Sequence, residues 1–101
     1  MNKLFVKEKY LKDLLSIFEK YCPQAEIIAY GSRVGGDCHD GSDLDLAIKN
    51  LDKCEIKLYE LKEIFRNSNI PFLIDIVEFE KIPESFQKEI LKNNITIYPK
   101  Y

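Results

Sequence analysis

Three aspartates and a Gly-Ser pair stand out by type and spacing. Asp43-Leu44-Asp45 follows Gly31-Ser32 after ten intervening residues, and Asp75 lies thirty residues beyond Asp45 within the apolar stretch Phe72 to Phe79. Carboxylates at i and i+2 of a strand leave the same face, near enough to share one cation or bridge two. Like charges ~4 Å apart repel by about 4 kcal/mol per pair at an effective dielectric of about 20, so three together call for a divalent counter-ion. Hard oxygen donors favour Mg²⁺, with Mn²⁺ as the alternative.

Two such ions about 3.5 to 4 Å apart can hold a nucleoside triphosphate and stabilise both the attacking and the leaving oxygen at the α-phosphorus. Asp43 and Asp45 are the candidate ligands. Asp75 is the candidate ligand on the acceptor side and a weak base for the acceptor hydroxyl. Gly31 allows a sharp turn, and Ser32 offers a hydroxyl and an N–H to a phosphate oxygen. Arg33 could put positive charge on a leaving pyrophosphate, with a structural ion pair as its equal alternative.

The elements that must position these groups are legible in the hydrophobic pattern. Between Leu4 and Tyr21, the residues Leu11, Leu14, Leu15, Phe18 and Tyr21 recur at helical spacing, and Pro23 ends the run. Ala25 to Tyr30 reads as a buried strand running into Gly31. All four glycines fall between Gly31 and Ser42, which reads as a loop. Asp43 to Lys49 alternates acidic and apolar residues as a strand does.

Cys54, Leu58, Leu61 and Phe65 suggest a second helix from about Asp52 to Asn67, and Phe72 to Phe79 a third strand. Asp75 is the lone acid in the core of that run, and a buried charge there would need a reason. Pro83 opens a third helix through Asn93 with Phe86 and Ile90 inward, and Ile95 to Tyr98 is a last strand. The order is that of an α/β (α+β) domain, a mixed sheet of about four strands flanked by helices.

The 101 residues suit a single domain spanning 1–101. Hydrophobic residues make up 46% and charged ones 32%, a globular balance. With 15 basic and 17 acidic side chains, the formal net charge is −2, and no positive field would draw in nucleic acid. No run approaches the roughly 20 apolar residues of a membrane span, and no signal-peptide pattern opens the chain, so the expected location is cytoplasmic. Cys22, Cys38 and Cys54 lack CxxC spacing, and with the single His39 they do not supply a zinc site.

Competing motifs fail residue by residue. Gly36 is followed by Asp37 and Cys38, not the Lys-Ser/Thr of a P-loop, and GxGxxG is absent. Calcium-loop frames starting at Asp37, Asp40 or Asp43 misplace the required acids and glycine. The six tyrosines read as packing residues.

The segment GSRVGGDCHDGSDLDLAI closely resembles the signature of minimal nucleotidyltransferases of the DNA polymerase β-like superfamily. The likeness runs through Asp75 to the end NNITIYPKY; it departs at Val34-Gly35-Gly36, where relatives often carry Ala and a longer or basic residue. It implies metal binding by Asp43, Asp45 and Asp75, and phosphate binding around Gly31 and Ser32. It further implies ATP as substrate and, as partner, a HEPN-domain ribonuclease toxin that such antitoxins silence by moving AMP onto a toxin tyrosine. Alternatives are a catalytically silent antitoxin acting sterically and a small-molecule nucleotidyltransferase. Self-association is compatible with the sequence.

Overall fold

A computed structural model describes residues 3–101. Its elements in chain order are α1 (Glu8–Tyr21), β1 (Glu26–Tyr30), α2 (Ser32–Gly35), β2 (Leu44–Lys49), α3 (Leu58–Arg66), β3 (Ile74–Glu78), α4 (Glu84–Lys92) and β4 (Asn94–Tyr98). The four strands form one mixed sheet in the order β3-β2-β1-β4. β1 pairs antiparallel with both β2 and β4, while β2 and β3, joined through α3, run parallel. The expected α/β architecture with a four-stranded mixed sheet is present.

The period-two alternation of the strands divides the interior into two unequal layers. Leu44, Leu46 and Ile48 of β2 join Ile27, Ala29, Ile76 and Ile97 on one face, against Leu14 and Phe18 of α1 and Leu61 and Phe65 of α3. The other face is thinner: Ile28 and Ala47 are covered by Ile90 of α4, with Tyr30, Val77, Phe79 and Ile82 packed around them. Gln87 fastens α4 there by donating from Nε2 to the carbonyls of Phe79 at 2.8 Å and Ile82 at 3.3 Å.

Several boundaries differ from the sequence reading, each for a local reason. The first helix starts at Glu8, not near Leu4, because the Phe5 backbone is engaged elsewhere: its N–H donates to the Arg33 carbonyl at 2.7 Å and its carbonyl accepts from Arg33 Nη1 at 2.8 Å. The helix expected from Asp52 to Asn67 is split into a 3-10 turn, Leu51–Lys53, and α3. Asn50 takes a left-handed conformation, φ 65°, which lets the chain turn with Leu51 buried. A new helix start then forms where the Glu60 carboxylate accepts the Lys57 N–H at 2.9 Å. The loop expected throughout Gly31 to Ser42 contains the helical turn α2. Phe86, expected inward on α4, is exposed at 37%, though its ring meets Tyr30 edge-on at 5.8 Å.

Phe18 is fully buried, with its ring centroid 5.2 Å from Phe65 and 6.4 Å from Tyr98, so it joins α1, α3 and β4. Phe18→Ala is expected to cost about 3–5 kcal/mol of unfolding free energy. Urea denaturation followed by circular dichroism measures it, and a loss below about 1 kcal/mol would contradict this core.

Candidate active site

The β2 register sets the site. Asp45 stands opposite Tyr30 of β1 on one side and opposite Asp75 of β3 on the other, and Tyr30 in turn faces Asn94 of β4. Asp75, Asp45, Tyr30 and Asn94 therefore form one row across all four strands, on the face covered by α4. The main core on the opposite face fixes this arrangement, because Leu44 and Leu46 are fully buried on either side of Asp45.

Asp45 is partly buried, whereas Asp75 and Asp43 are exposed. That corrects one sequence argument. Asp75 is not an acid trapped in an apolar interior; it is exposed on β3, an edge strand, and alternates with buried Ile76. What makes Asp75 notable is its neighbour. The Asp45 carboxyl is held above its ordinary value of 3.8 by burial, then by the charges of Asp75 and Asp43. Asp43 directly precedes β2 rather than lying within it.

Gly31 supplies the other wall of the site. Its φ of 81° and ψ of −156° lie in a region that side chains with a Cβ do not tolerate. Its Cα lies against the Asp45 carboxylate: a Cβ added there would overlap Oδ2 and stand 3.3 Å from Cγ. Ser32 follows at once as the first residue of α2, whose turn closes with Val34 and Gly35 each donating an N–H to the Gly31 carbonyl at 3.0 Å. The first N–H groups of such a turn have no acceptor within it. The Gly-Ser turn and the acid pair are thus adjacent.

Arg33 does not reach into this space. Its side chain is turned inward, 5% exposed, and donates from Nε to the Ser42 carbonyl at 2.9 Å, from Nη1 to Phe5 at 2.8 Å, and from Nη2 to Asp40 at 2.9 Å and His39 at 3.4 Å. The guanidinium also lies 4.0 Å from the Phe72 ring centre. With its donors committed to main-chain carbonyls, Arg33 is not arranged to contact a pyrophosphate, and among the described residues it also lacks the structural ion pair considered as its alternative. Tyr30 is the residue that the sequence reading passed over. Its hydroxyl is pushed up from 10.0 to about 12 by burial, then by Asp45 and Asp75, so it stays a neutral phenol beside the acids. Its position immediately before Gly31-Ser32, at the end of a strand, was the available signal.

The donor set suits a hard divalent cation, with two carboxylates in neighbouring register positions and a third feeding charge into the pair. Among the described residues, no three His, Cys, Asp or Glu side chains are gathered tightly enough to hold a metal ion as they stand. Asp75 also borders a hollow of about 330 Å³ walled by Phe65, Ile70, Pro71 and Phe72. The larger groove, about 1170 Å³, lies between Tyr21, Cys54 and Tyr59 and is not lined by Asp43, Asp45 or Asp75.

Two outcomes follow from this geometry. Gly31→Ala is expected to lose about 1–3 kcal/mol of stability from backbone strain, and to push the Asp45 carboxylate aside; urea unfolding and the Asp45 side-chain NMR shifts report the two effects. An acid whose pKa rises on folding binds more protons folded than unfolded between the two values. Stability of the metal-free protein should therefore fall as pH rises from the unfolded value near 3.8 through the raised folded one. Asp45→Asn should remove that fall and be more stable than the wild type at neutral pH, and equal pH profiles by urea unfolding would refute the charge cluster.

A glycine turn is pressed against one of two paired strand acids, with a serine following it. The chain matches the family described as Polymerase beta, Nucleotidyltransferase over residues 12–101. It is also 31% identical over 99 residues to a protein of Haemophilus influenzae named "Probable protein adenylyltransferase MntA", an alignment covering 97% of this chain and 87% of that relative. Motif, sheet and whole-length likeness agree, and the chain belongs to the polymerase β-type nucleotidyltransferase family.

Proposed function

We propose that the protein is a Mg²⁺-dependent protein adenylyltransferase that moves AMP from ATP onto a hydroxyl of a partner protein. The observation that carries the reading is the side-by-side placement of Asp45 and Asp75 with Gly31 packed on the Asp45 carboxylate. The name of the Haemophilus influenzae relative supports AMP transfer to protein. The motif resemblance extends this to a HEPN-domain ribonuclease toxin, modified on a tyrosine, with this protein as its antitoxin.

Asp43, Asp45 and Asp75 would hold the divalent ions, which when bound neutralise the triphosphate and the crowded acids and render the acceptor hydroxyl more acidic. Gly31 and Ser32 would seat the β- and γ-phosphates, the serine through its hydroxyl and N–H. Asp75, exposed on the outer strand, would accept the acceptor's proton as its oxygen bonds to the α-phosphorus. The bond between the α-phosphorus and the bridging oxygen breaks, and pyrophosphate leaves. Tyr30, neutral beside Asp45, adds no further negative charge where the phosphates must approach.

The test is incubation of the purified protein with α-labelled ATP, Mg²⁺ and the product of the adjacent gene. Label should appear on the partner, vanish with a chelator, return with Mn²⁺, and be reduced to background in Asp45→Asn and Asp75→Asn. Equal labelling by these variants would overturn the reading; an unlabelled partner that is still neutralised by them would point to steric silencing.

A further inference from the structure

We propose that Arg33 is a positioning residue that locks together the three chain segments delivering Ser32, Asp43 and Asp75, an inference that rests on the nucleotidyl-transfer reading. Each segment meets the same buried guanidinium. Arg33 directly follows Ser32 in α2. Its Nε holds the carbonyl of Ser42, the residue immediately before Asp43, and its Nη2 holds the carbonyls of Asp40 and His39 in the same loop. Its face lies on Phe72, three residues before Asp75 in the lead-in to β3. The remaining contact, Nη1 to the Phe5 carbonyl, answered by the Phe5 N–H donating to the Arg33 carbonyl, ties the N-terminal segment across α2.

The chemistry requires arginine. Its planar fork has donors along two edges and a flat face for an aromatic ring, so one group can satisfy carbonyls lying in different directions while stacking. A lysine ammonium offers three donors from a single point and no face. The charge is also unusual in its surroundings: among the described residues no carboxylate pairs with Arg33, although its side chain is almost wholly buried. Buried charge is ordinarily matched by an opposite one, and here carbonyl dipoles and the face of the Phe72 ring meet it instead. The loop it braces is otherwise held by short-range contacts, with Ser42 N–H donating to the His39 carbonyl, His39 N–H to Ser42 Oγ, and Gly41 N–H to His39 Nδ1. Asp43 is exposed between this loop and β2, where the Leu44 N–H donates to the Leu73 carbonyl at 2.9 Å, so Arg33 holds that acid from the loop side and the sheet holds it from the other.

The experiment uses Mn²⁺ alone, titrated into ATP-free protein and read by the loss of its free-ion EPR signal. Hydrogen exchange of residues 38–42 and ATP affinity are measured in parallel. Arg33→Lys, which keeps the charge and loses the fork, should speed exchange in the loop and weaken Mn²⁺ binding by about tenfold to a hundredfold, the usual effect of removing a group that orients metal ligands. Faster loop exchange with unchanged Mn²⁺ affinity would make Arg33 merely structural and overturn the proposal. Weaker ATP binding with unchanged Mn²⁺ affinity would make it a phosphate contact and overturn it equally. If Arg33→Lys does not fold, Phe72→Leu, which removes the stacked ring, together with its edge-on contact to Tyr10, but keeps an apolar side chain in the core, is read in the same way: weaker Mn²⁺ binding supports the proposal and no change overturns it. A wild-type protein that binds no Mn²⁺ would sink the transferase reading itself, whereas binding retained in Arg33→Lys sinks this inference alone.

Discussion

The structure depends on the register of β2 between β1 and β3. Leu44, Leu46 and Ile48 must face the helices α1 and α3, and a slip of one residue would turn them to the opposite face. The same constraint that hides three aliphatic side chains therefore dictates where Asp45 emerges, and which residues of the flanking strands stand beside it. Function-bearing polar groups here are located by the burial of their apolar neighbours. No separate force has to align the acids.

Such an alignment has an energetic cost. Asp45 has a partly apolar setting, Asp75 on one side and Tyr30 on the other, and neither neighbour supplies a cation. The fold tolerates this because the repulsion is concentrated on the thin face, near open solvent, while the thick layer built on Phe18, Leu61 and Phe65 supplies the cohesion. Stability and electrostatic tension are assigned to opposite sides of one sheet.

How much of this was legible beforehand can be judged residue by residue. The strand–Gly-Ser turn and the alternation in DLDLAIK were readable because period-two patterns and glycine-rich turns are local properties. Asp75 was picked out for a partly mistaken reason: its apolar surroundings in sequence suggested burial, but an edge strand has one open face, and strand order is not a local property. Arg33 was readable as a charge beside a Gly-Ser turn but not as an inward-turned side chain, since its acceptors come from positions 5, 39, 40 and 42 and exist only after folding. The break before α3 was missed because the apolar spacing continues through it, while the left-handed Asn50 and the returning Glu60 carboxylate interrupt the backbone. For Tyr30 the sequence offers only its place before Gly31-Ser32, because the acid beside it, Asp45, stands on the neighbouring strand.

The placement of β3 at the rim of the sheet has a consequence for what can be modified. With no strand beyond it, Asp75 stays exposed, and under the proposed transfer a side chain on a large folded molecule would have the same approach to it as a small alcohol. A transferase open in this way would discriminate poorly by size, and its selectivity would have to be written on the surface of the acceptor that met that rim.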